Sequence, residues 1–337
     1  MAAVGRTLIL AGDIGGTKSY LGLFAADPAD FTPLVERRYV SREYPDLASM
    51  LAAFIREVGQ QPQRLVLGIP APVNQLPIRP VNLPWVIDPD QVRAALKIED
   101  LLLLNDLQAT AYGILTLKPA DLCVLNPGKP VPQGNIAVLA AGTGLGEGGL
   151  CWTGNRYIGL PSEGGHVSFS PTSDLEAGLW RFMWDRFEEH VSWERVISGA
   201  GLACIYDFLK ASGRGEEPPW LKQELAGGDP AEVISKAALA GRAELAVKAL
   251  DLFVSLYGAE AGNLALKLLA TGGVYVAGGI APKILDKLKA GSFMKAFLAK
   301  GRLRSALEAM PVKVVLNDKT GLLGAAYCGV HSTTERR

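Results

Sequence analysis

Apolar residues early in the chain come in short runs separated by glycine. Leu8-Ile9-Leu10-Ala11 breaks into Gly12 through Ser19 and resumes as the half-apolar Tyr20–Phe24, which predicts strand, glycine turn, strand. A third alternating run, Leu34–Val40, predicts another strand. Over Asp46–Val58 the period changes, and Leu47, Met50, Leu51, Phe54, Ile55 and Val58 fall on one face of a helix. Arg64–Pro70 reads as a buried strand, and the proline-rich stretch Pro70–Pro89 as irregular or hairpin-like. Asp88-Pro89-Asp90 opens a helix through Leu96, with Asp as cap and Pro in the first turn. Leu101–Leu104 is a short strand, and Asn105–Tyr112 starts a helix.

The opening theme then recurs about 130 residues later. Asn135–Ala140 predicts a strand, Ala141–Gly146 a glycine-threonine turn and Glu147–Trp152 a return strand. Identity between the two stretches is slight, so the likeness is an echo of structure. Helical spacing dominates the middle of the chain: Asp174–Phe187, Ser198–Ser212, Pro230–Leu239 and Leu245–Leu269, with a loop at Gly213–Pro219. Gly273–Ala277 is a strand running into Gly278-Gly279-Ile280-Ala281-Pro282 and a helix. Val312–Leu316 is a last strand and Gly321–Val330 a last helix, before a tail, Ser332–Arg337, expected to be disordered.

A length of 337 residues suits two domains of ordinary size. Hydrophobic content of 49% with 20% charged residues fits a soluble globular chain. Thirty-four basic against 34 acidic residues leave no electrostatic footprint for nucleic acid. Met1–Arg6 lacks a signal-type apolar region, and no apolar run reaches the length of a membrane span, so a cytoplasmic location is expected. Cys123, Cys151, Cys204 and Cys328 lie far apart with no C-x-x-C spacing, which argues against a zinc site or a disulfide framework. They read as thiols buried as small hydrophobes.

The candidate chemistry lies where strands end. The turn Gly12-Asp13-Ile14-Gly15-Gly16-Thr17 is open between an ordinary β-hairpin and a nest of N–H groups for phosphate. It is neither a Walker A loop nor a dinucleotide fingerprint, because a strand rather than a helix comes after it. Gly142-Thr143-Gly144 supplies a second such turn. Asn105-Asp106 is open between a helix cap and a carboxylate facing a ligand at the carboxyl edge of a sheet; two residues stand where one cap suffices. Glu163 and His166, across a flexible Gly164-Gly165, suit hydrogen bonding to a ligand better than a metal, because only two ligands are in view. Glu194 is a third polar candidate or a solvated carboxylate at a helix start. Gly278-Gly279 suits close approach of a ligand or tight strand-to-helix packing.

Asp13-Ile-Gly-Gly-Thr, Leu104-Asn-Asp, Gly142-Thr-Gly-Leu-Gly, Ser162-Glu-Gly-Gly-His and Ala277-Gly-Gly-Ile occur in the order and spacing of one family. From Leu8 to Ala326 the chain resembles the bacterial ATP-dependent glucokinases of the hexokinase and actin-like superfamily, in the group without the repressor-type zinc motif. The resemblance implies an α/β, two-domain actin-like ATPase (ribonuclease H-like) fold with an interdomain cleft. A small domain would comprise 1–113 plus 319–337, and a large one 114–318. It further implies Asp106 as catalytic base, with Asn105, Asp106, Glu163, His166 and Glu194 holding glucose. Gly12, Asp13, Gly15, Gly16, Thr17, Gly142, Thr143, Gly144, Gly278 and Gly279 would lie at ATP and its phosphates. Mg²⁺ would accompany ATP with no direct protein ligand, Asp13 acting through its water shell. A homodimer is expected on the same ground. Asn82 is a further sugar-side candidate, and Lys18 is open between phosphate and solvent. The rivals are a kinase of the same fold for another hexose or an amino sugar, a sugar-binding regulator without catalysis, and a filament subunit. The last leaves Glu163, His166 and Glu194 without a role.

Overall fold

In a computed structural model that describes residues 6–27, 30–80, 83–188 and 190–332, the chain divides into two compact units, Met1–Lys118 with Asn317–Arg337, and Pro119–Leu316. The expectations for the first five residues, for Asn82 and for the tail beyond Ser332 lie outside the described residues.

The first unit is built on one five-stranded sheet. Its strands are β1 (Thr7–Ile14), β2 (Lys18–Ala26), β3 (Phe31–Val40), β4 (Arg64–Ile69) and β5 (Asp100–Asn105), in the order β3-β2-β1-β4-β5. β1, β2 and β3 form an antiparallel meander, whereas β4 runs parallel to β1 and β5 parallel to β4. Leu65 to Ile69 in β4 are buried without alternation, as a central strand covered on both faces requires. At the edge, β3 carries Glu36, Arg37 and Arg38, charges that discourage pairing with another chain. Successive side chains of β1 feed opposite faces. Leu10 and Ile14 pack with Met50, Leu51 and Phe54 of the helix Leu47–Val58. Ile9 and Ala11 pack with Leu322, Ala325 and Ala326 of the last helix, Thr320–His331.

Local signals set these helices. Asp46 caps the Leu47–Val58 helix by accepting from the Ser49 N–H at 2.7 Å, and Gly59 ends it with φ 68°, a left-handed angle that suits glycine. The last helix lies unusually close to the helix Asp106–Ile114. A Cβ at Gly113 would collide with the Thr320 carbonyl, and one at Gly324 with the Ala109 carbonyl and the Gly113 nitrogen.

The second unit repeats the arrangement on a six-stranded sheet. Its strands are β6 (Leu122–Asn126), β7 (Ile136–Ala141), β8 (Leu145–Trp152), β9 (Tyr157–Leu160), β10 (Gly273–Ala277) and β11 (Val312–Val315). The order β9-β8-β7-β10-β11 matches β3-β2-β1-β4-β5, with antiparallel β6 added beyond β11. The echo is therefore one of topology. Behind this sheet the helix Glu244–Leu268 carries the core on Leu250, Phe253, Val254, Tyr257, Ala261 and Leu264.

The hydrophobic pattern left several elements unseen. β6 and β9 are short, half-exposed edge strands whose residues lack a buried alternation. The helix Pro219–Gly227 begins at the last residue of the expected loop and buries only Leu221. After Gly279 a short 3₁₀ turn, Ala281–Ile284, precedes the helix Leu285–Lys289. Cys204 and Cys328 are buried as expected, but Cys123 and Cys151 are only half-buried, because they lie on β6 and the end of β8. Among the described residues no helix is long and apolar enough to cross a membrane.

The close helix crossing generates a stability prediction. Gly324→Val should lower the urea midpoint, reflecting a loss of at least the roughly 1–3 kcal/mol of stability typical of overpacking. An unchanged midpoint would show that the two helices are not held that close.

Candidate active site

In the first unit the strand register assembles the site. Asp13 pairs with Gly68 and Gly68 with Leu104, so β1 and β5 end at one level, and Asp13 and Asn105-Asp106 lie at the same carboxyl edge. Gly68 makes the approach possible, since a Cβ there would lie 2.9 Å from Ala109 Cβ and 3.5 Å from Asp106 Cα. Asn105 proves to be the helix cap: its Oδ1 accepts from the N–H groups of Leu107 at 3.0 Å and Gln108 at 3.4 Å. Asp106 is thereby the first helical residue, with Oδ1 accepting from Leu107 N–H at 2.8 Å. Cap and carboxylate are both present, one on each residue.

The opening hairpin turns at Gly15-Gly16-Thr17, and two serines fix it from behind. Ser41 Oγ donates to the Gly15 carbonyl at 2.7 Å and lies 2.9 Å from Ser19 Oγ, while Gly15 N–H donates to Ser19 Oγ at 3.3 Å. Both serines are fully buried. No sequence signal marked them, because Ser41 lies 26 residues from the turn it supports. The demand at Gly15 is one of space rather than of a left-handed φ: a Cβ would lie 2.5 Å from the Lys18 carbonyl oxygen. Gly12 is buried within β1, where a Cβ would meet Leu67 and Leu21 at 2.7 and 2.9 Å. Thr17 is exposed and Gly16 half-buried. Lys18 is exposed, 3.4 Å from Tyr20 Oη and 4.0 Å from the Asp318 carboxylate.

Asp13 is the electrostatically unusual group. Its carboxyl lies against Gly321 at the start of the last helix, where a Cβ would come within 2.8 Å of it. Burial raises its pKa to about 7, the Asp106 and Asp318 charges add to the rise, and Lys18 opposes it.

In the second unit, residues far apart in sequence meet. Phe169 N–H donates to the Val191 carbonyl at 2.8 Å, and Trp193 N–H to the Val167 carbonyl at 3.0 Å. This pairing brings the Glu163–His166 loop beside Glu194. Glu194 does lie in the first turn of a helix, Trp193–Val196, but its carboxylate is engaged. Oε2 accepts from Leu145 N–H at 3.0 Å, and Oε1 lies 3.9 Å from His166 Nδ1. A single side chain thus joins the histidine to the glycine turn Gly142–Gly146. Glu163 and His166 are exposed. The glycines between them are buried and tight rather than flexible: Gly164 rests on Glu147 and Gly165 on the Leu145 carbonyl, with no room for a Cβ.

The turn after β7 and the turn after β10 are held together by a residue the sequence did not mark. Tyr257, fully buried, donates from its hydroxyl to the Ala277 carbonyl and accepts from Ala141 N–H, both at 3.3 Å. Gly278 adopts φ 84° against the backbone of Ala141, which only glycine tolerates there. Beyond these turns lies a cavity of about 780 Å³, lined by Gly142, Thr143, Arg195, Asp229, Gly279 and Lys283 among others. Its size fits a small-molecule ligand. Gly142, Thr143 and Gly279 were expected at a ligand; Arg195, Asp229 and Lys283 were not. Lys283 comes directly after Pro282 and was within reach of the motif.

Comparison with known proteins fits this geometry. The Glucokinase family model matches residues 10–332. The chain is 42% identical to a glucokinase of Nostoc sp., over 96% of this chain and 98% of that one. It is 36% identical to a glucokinase of Neisseria gonorrhoeae, over 94% and 93%. A crystal structure of glucokinase from an Antarctic psychrotroph superposes with a TM-score of 0.85 at 30% identity, covering 97% of this chain and 99% of that one. A ROK family glucokinase from Streptomyces griseus, in complex with glucose and AMPPNP, shares the fold at 22% identity with a TM-score of 0.62, covering 95% and 98%. With the family matched over nearly its whole length, and on two sheets of the same topology, the chain belongs to the glucokinase family.

Proposed function

We propose that the chain transfers the γ-phosphate of ATP to the 6-hydroxyl of glucose, giving glucose 6-phosphate and ADP. The observation that carries this reading is the position of Glu194, whose carboxylate meets His166 on one side and the backbone of the Gly142–Gly146 turn on the other. A hydroxyl-rich ligand held by the first and a phosphate chain held by the second would meet at that point. A sugar offers hydroxyls that both donate and accept, and Glu163, His166 and Glu194 supply acceptors and a switchable donor in fixed directions. Asn105 adds an amide oriented by its two capping bonds.

Asp106 acts as general base. Its carboxylate accepts the 6-hydroxyl proton as that oxygen bonds to the γ-phosphorus and the bond from phosphorus to the bridging oxygen of ADP breaks. The cavity beyond Gly142, Thr143, Gly278 and Gly279 takes the nucleoside, and Lys283 and Arg195 place positive charge in its wall. On the first unit, Gly15, Gly16 and Thr17 form a phosphate-binding turn, with Gly12 contributing by packing.

Mg²⁺ fits the Asp13 neighbourhood: a half-buried carboxyl whose ionisation is opposed by burial and by Asp106 gains from a hydrated dication beside it. When bound with ATP, the ion neutralises phosphate charge. Asp13 would hold the ion through its water shell. The same reading includes a cytoplasmic homodimer, and sedimentation of the purified chain at a twofold mass would support it, a monomer remove it.

ADP release measured with Mg²⁺-ATP against a panel of hexoses tests the substrate. Turnover with glucose is expected, and its absence beside turnover of another sugar would sink the assignment. Asp106→Ala should lose about 10²–10⁴-fold in kcat, as expected for a general base, with glucose still bound. Near-full rate would remove Asp106 from the chemistry.

The pH dependence comes from Asp13. A folded pKa of about 7 means that folding favours the protonated form. The group's contribution to stability is complete below the ordinary carboxylate value of about 4 and is lost as pH rises through about 7. In metal-free buffer, Asp13→Asn should therefore melt close to wild type under acidic conditions and above it at alkaline pH, while kinase activity collapses. Parallel melting profiles would show that Asp13 is not buried against its charge.

A further inference from the structure

Glu147 is buried in β8 and the mechanism does not use it. It is 1% exposed, and neither carboxyl oxygen has a hydrogen-bond partner. Its electrostatic neighbour on the Glu244–Leu268 helix is Glu260, which is 0% exposed. Glu260 is fully engaged: Oε1 accepts from Lys267 Nζ at 3.1 Å and Oε2 from Asn263 Nδ2 at 2.7 Å. Asn263 Oδ1 in turn accepts from Lys300 Nζ at 2.5 Å. Lys267 and Asn263 serve Glu260, Lys300 serves Asn263, and none of them reaches Glu147.

Two buried carboxylates side by side, one of them without a donor, would cost far more than a neutral pair. A proton on Glu147 resolves the conflict, because it turns an acceptor facing an acceptor into a donor facing one. The charge distribution agrees. Burial, and then the Glu260 charge, push the Glu147 carboxyl well above the usual carboxylate range, with Lys267 opposing. The titratable groups on the surrounding elements are Glu260 and Lys267 on the long helix, Lys300 beyond Asn263, and Glu163 and His166 on the loop above.

The loop is where this pair acts. Gly164 is seated on the Glu147 side chain, with its Cβ direction blocked by the Glu147 carboxyl and, at 3.0 Å, by Glu147 Cβ. Gly164 N–H is tied to Ser162 Oγ at 2.9 Å, so the segment lies down as a unit. Its flanking residues are Glu163 and His166.

We propose that Glu147 is a positioning residue for the sugar loop: its protonated carboxyl, donating to Glu260, is the surface on which Gly164 rests, and it thereby fixes Glu163 and His166. The proposal rests on the reading of that loop as the glucose site. Loss of the proton places two like charges beneath Gly164, and the floor of the loop is pushed apart. Glucose affinity then falls on the alkaline side, while the nucleotide cavity, lined by other elements, is untouched.

Direct glucose binding, monitored by tryptophan fluorescence without ATP, tests this at neutral and at alkaline pH. Glu147→Gln keeps the shape and a donor but cannot ionise. It should bind glucose as wild type does at neutral pH and should lack the alkaline loss that wild type shows. Glu147→Ala should weaken glucose binding about tenfold, on the scale of one lost buried anchor, with the KM for ATP nearly unchanged. An alkaline loss shared equally by Glu147→Gln and wild type would overturn the proposal. So would an Ala variant in which the KM for ATP moves as far as glucose affinity. If the Ala variant does not fold, the pH profile of the Gln variant decides alone. Absence of glucose binding by wild type would remove the loop reading and this one with it, whereas normal binding with indifferent variants would remove only the role of Glu147.

Discussion

Asp13 pairs with Gly68 across β1 and β4, and Gly68 pairs with Leu104 across β4 and β5. Because parallel strands all point the same way, this register brings two loops separated by some ninety residues to one sheet edge. Every charge at that edge then acts on the others in a partly desolvated setting, which is why the Asp106 charge raises the pKa of Asp13. A slip of one residue in β1 against β4 would move Asp13 out of level with Asp106 and turn its side chain to the other face. The glycine at position 68 is part of the same constraint, since a larger residue would displace the start of the Asp106 helix.

The second unit meets the same requirement with different chemistry. Its β7, β8 and β10 reproduce the hairpin and the parallel neighbour, but a buried tyrosine, rather than sheet register alone, ties the two glycine turns together. Glu194 then extends the network sideways to His166. Carboxylates are used in contrasting ways here. Glu194, half exposed, accepts a backbone N–H, whereas Glu147 lies buried under the loop with no donor, which favours its neutral form. Environment, not residue type, separates the two roles.

The helices and central strands were legible from spacing alone. Periods of two and of 3.6 residues located β1, β2, β4, β10 and the helices Leu47–Val58, Asp174–Phe187 and Glu244–Leu268 to within three residues at either end. The strands β6 and β9 and the helix Pro219–Gly227 were not, because each buries too few side chains to leave a period. At the sites, the motifs named the groups that stand at loop ends. Glycine turns, a carboxylate after a strand and a histidine near a glutamate are all local signals. Their supports were invisible: Ser41 behind the first turn, Tyr257 behind the second and Glu147 beneath the loop. Ser41 lies 26 residues from Gly15, and Tyr257 lies 116 residues from Ala141, so no local pattern links them.

By itself the sequence determined which central stretches become strands, which turn on glycine and which carry reactive side chains, because those choices depend on residues within one or two turns of each other. Tertiary structure decided the rest. It showed that Asn105 is the cap and Asp106 the first residue beyond it, and that Gly164-Gly165 is a packed seam rather than a hinge. It also showed that Glu194 reaches both a histidine and a backbone N–H. A hydrogen bond and a pKa depend on distance and burial in three dimensions, and neither is encoded in the spacing of residues along one strand or helix.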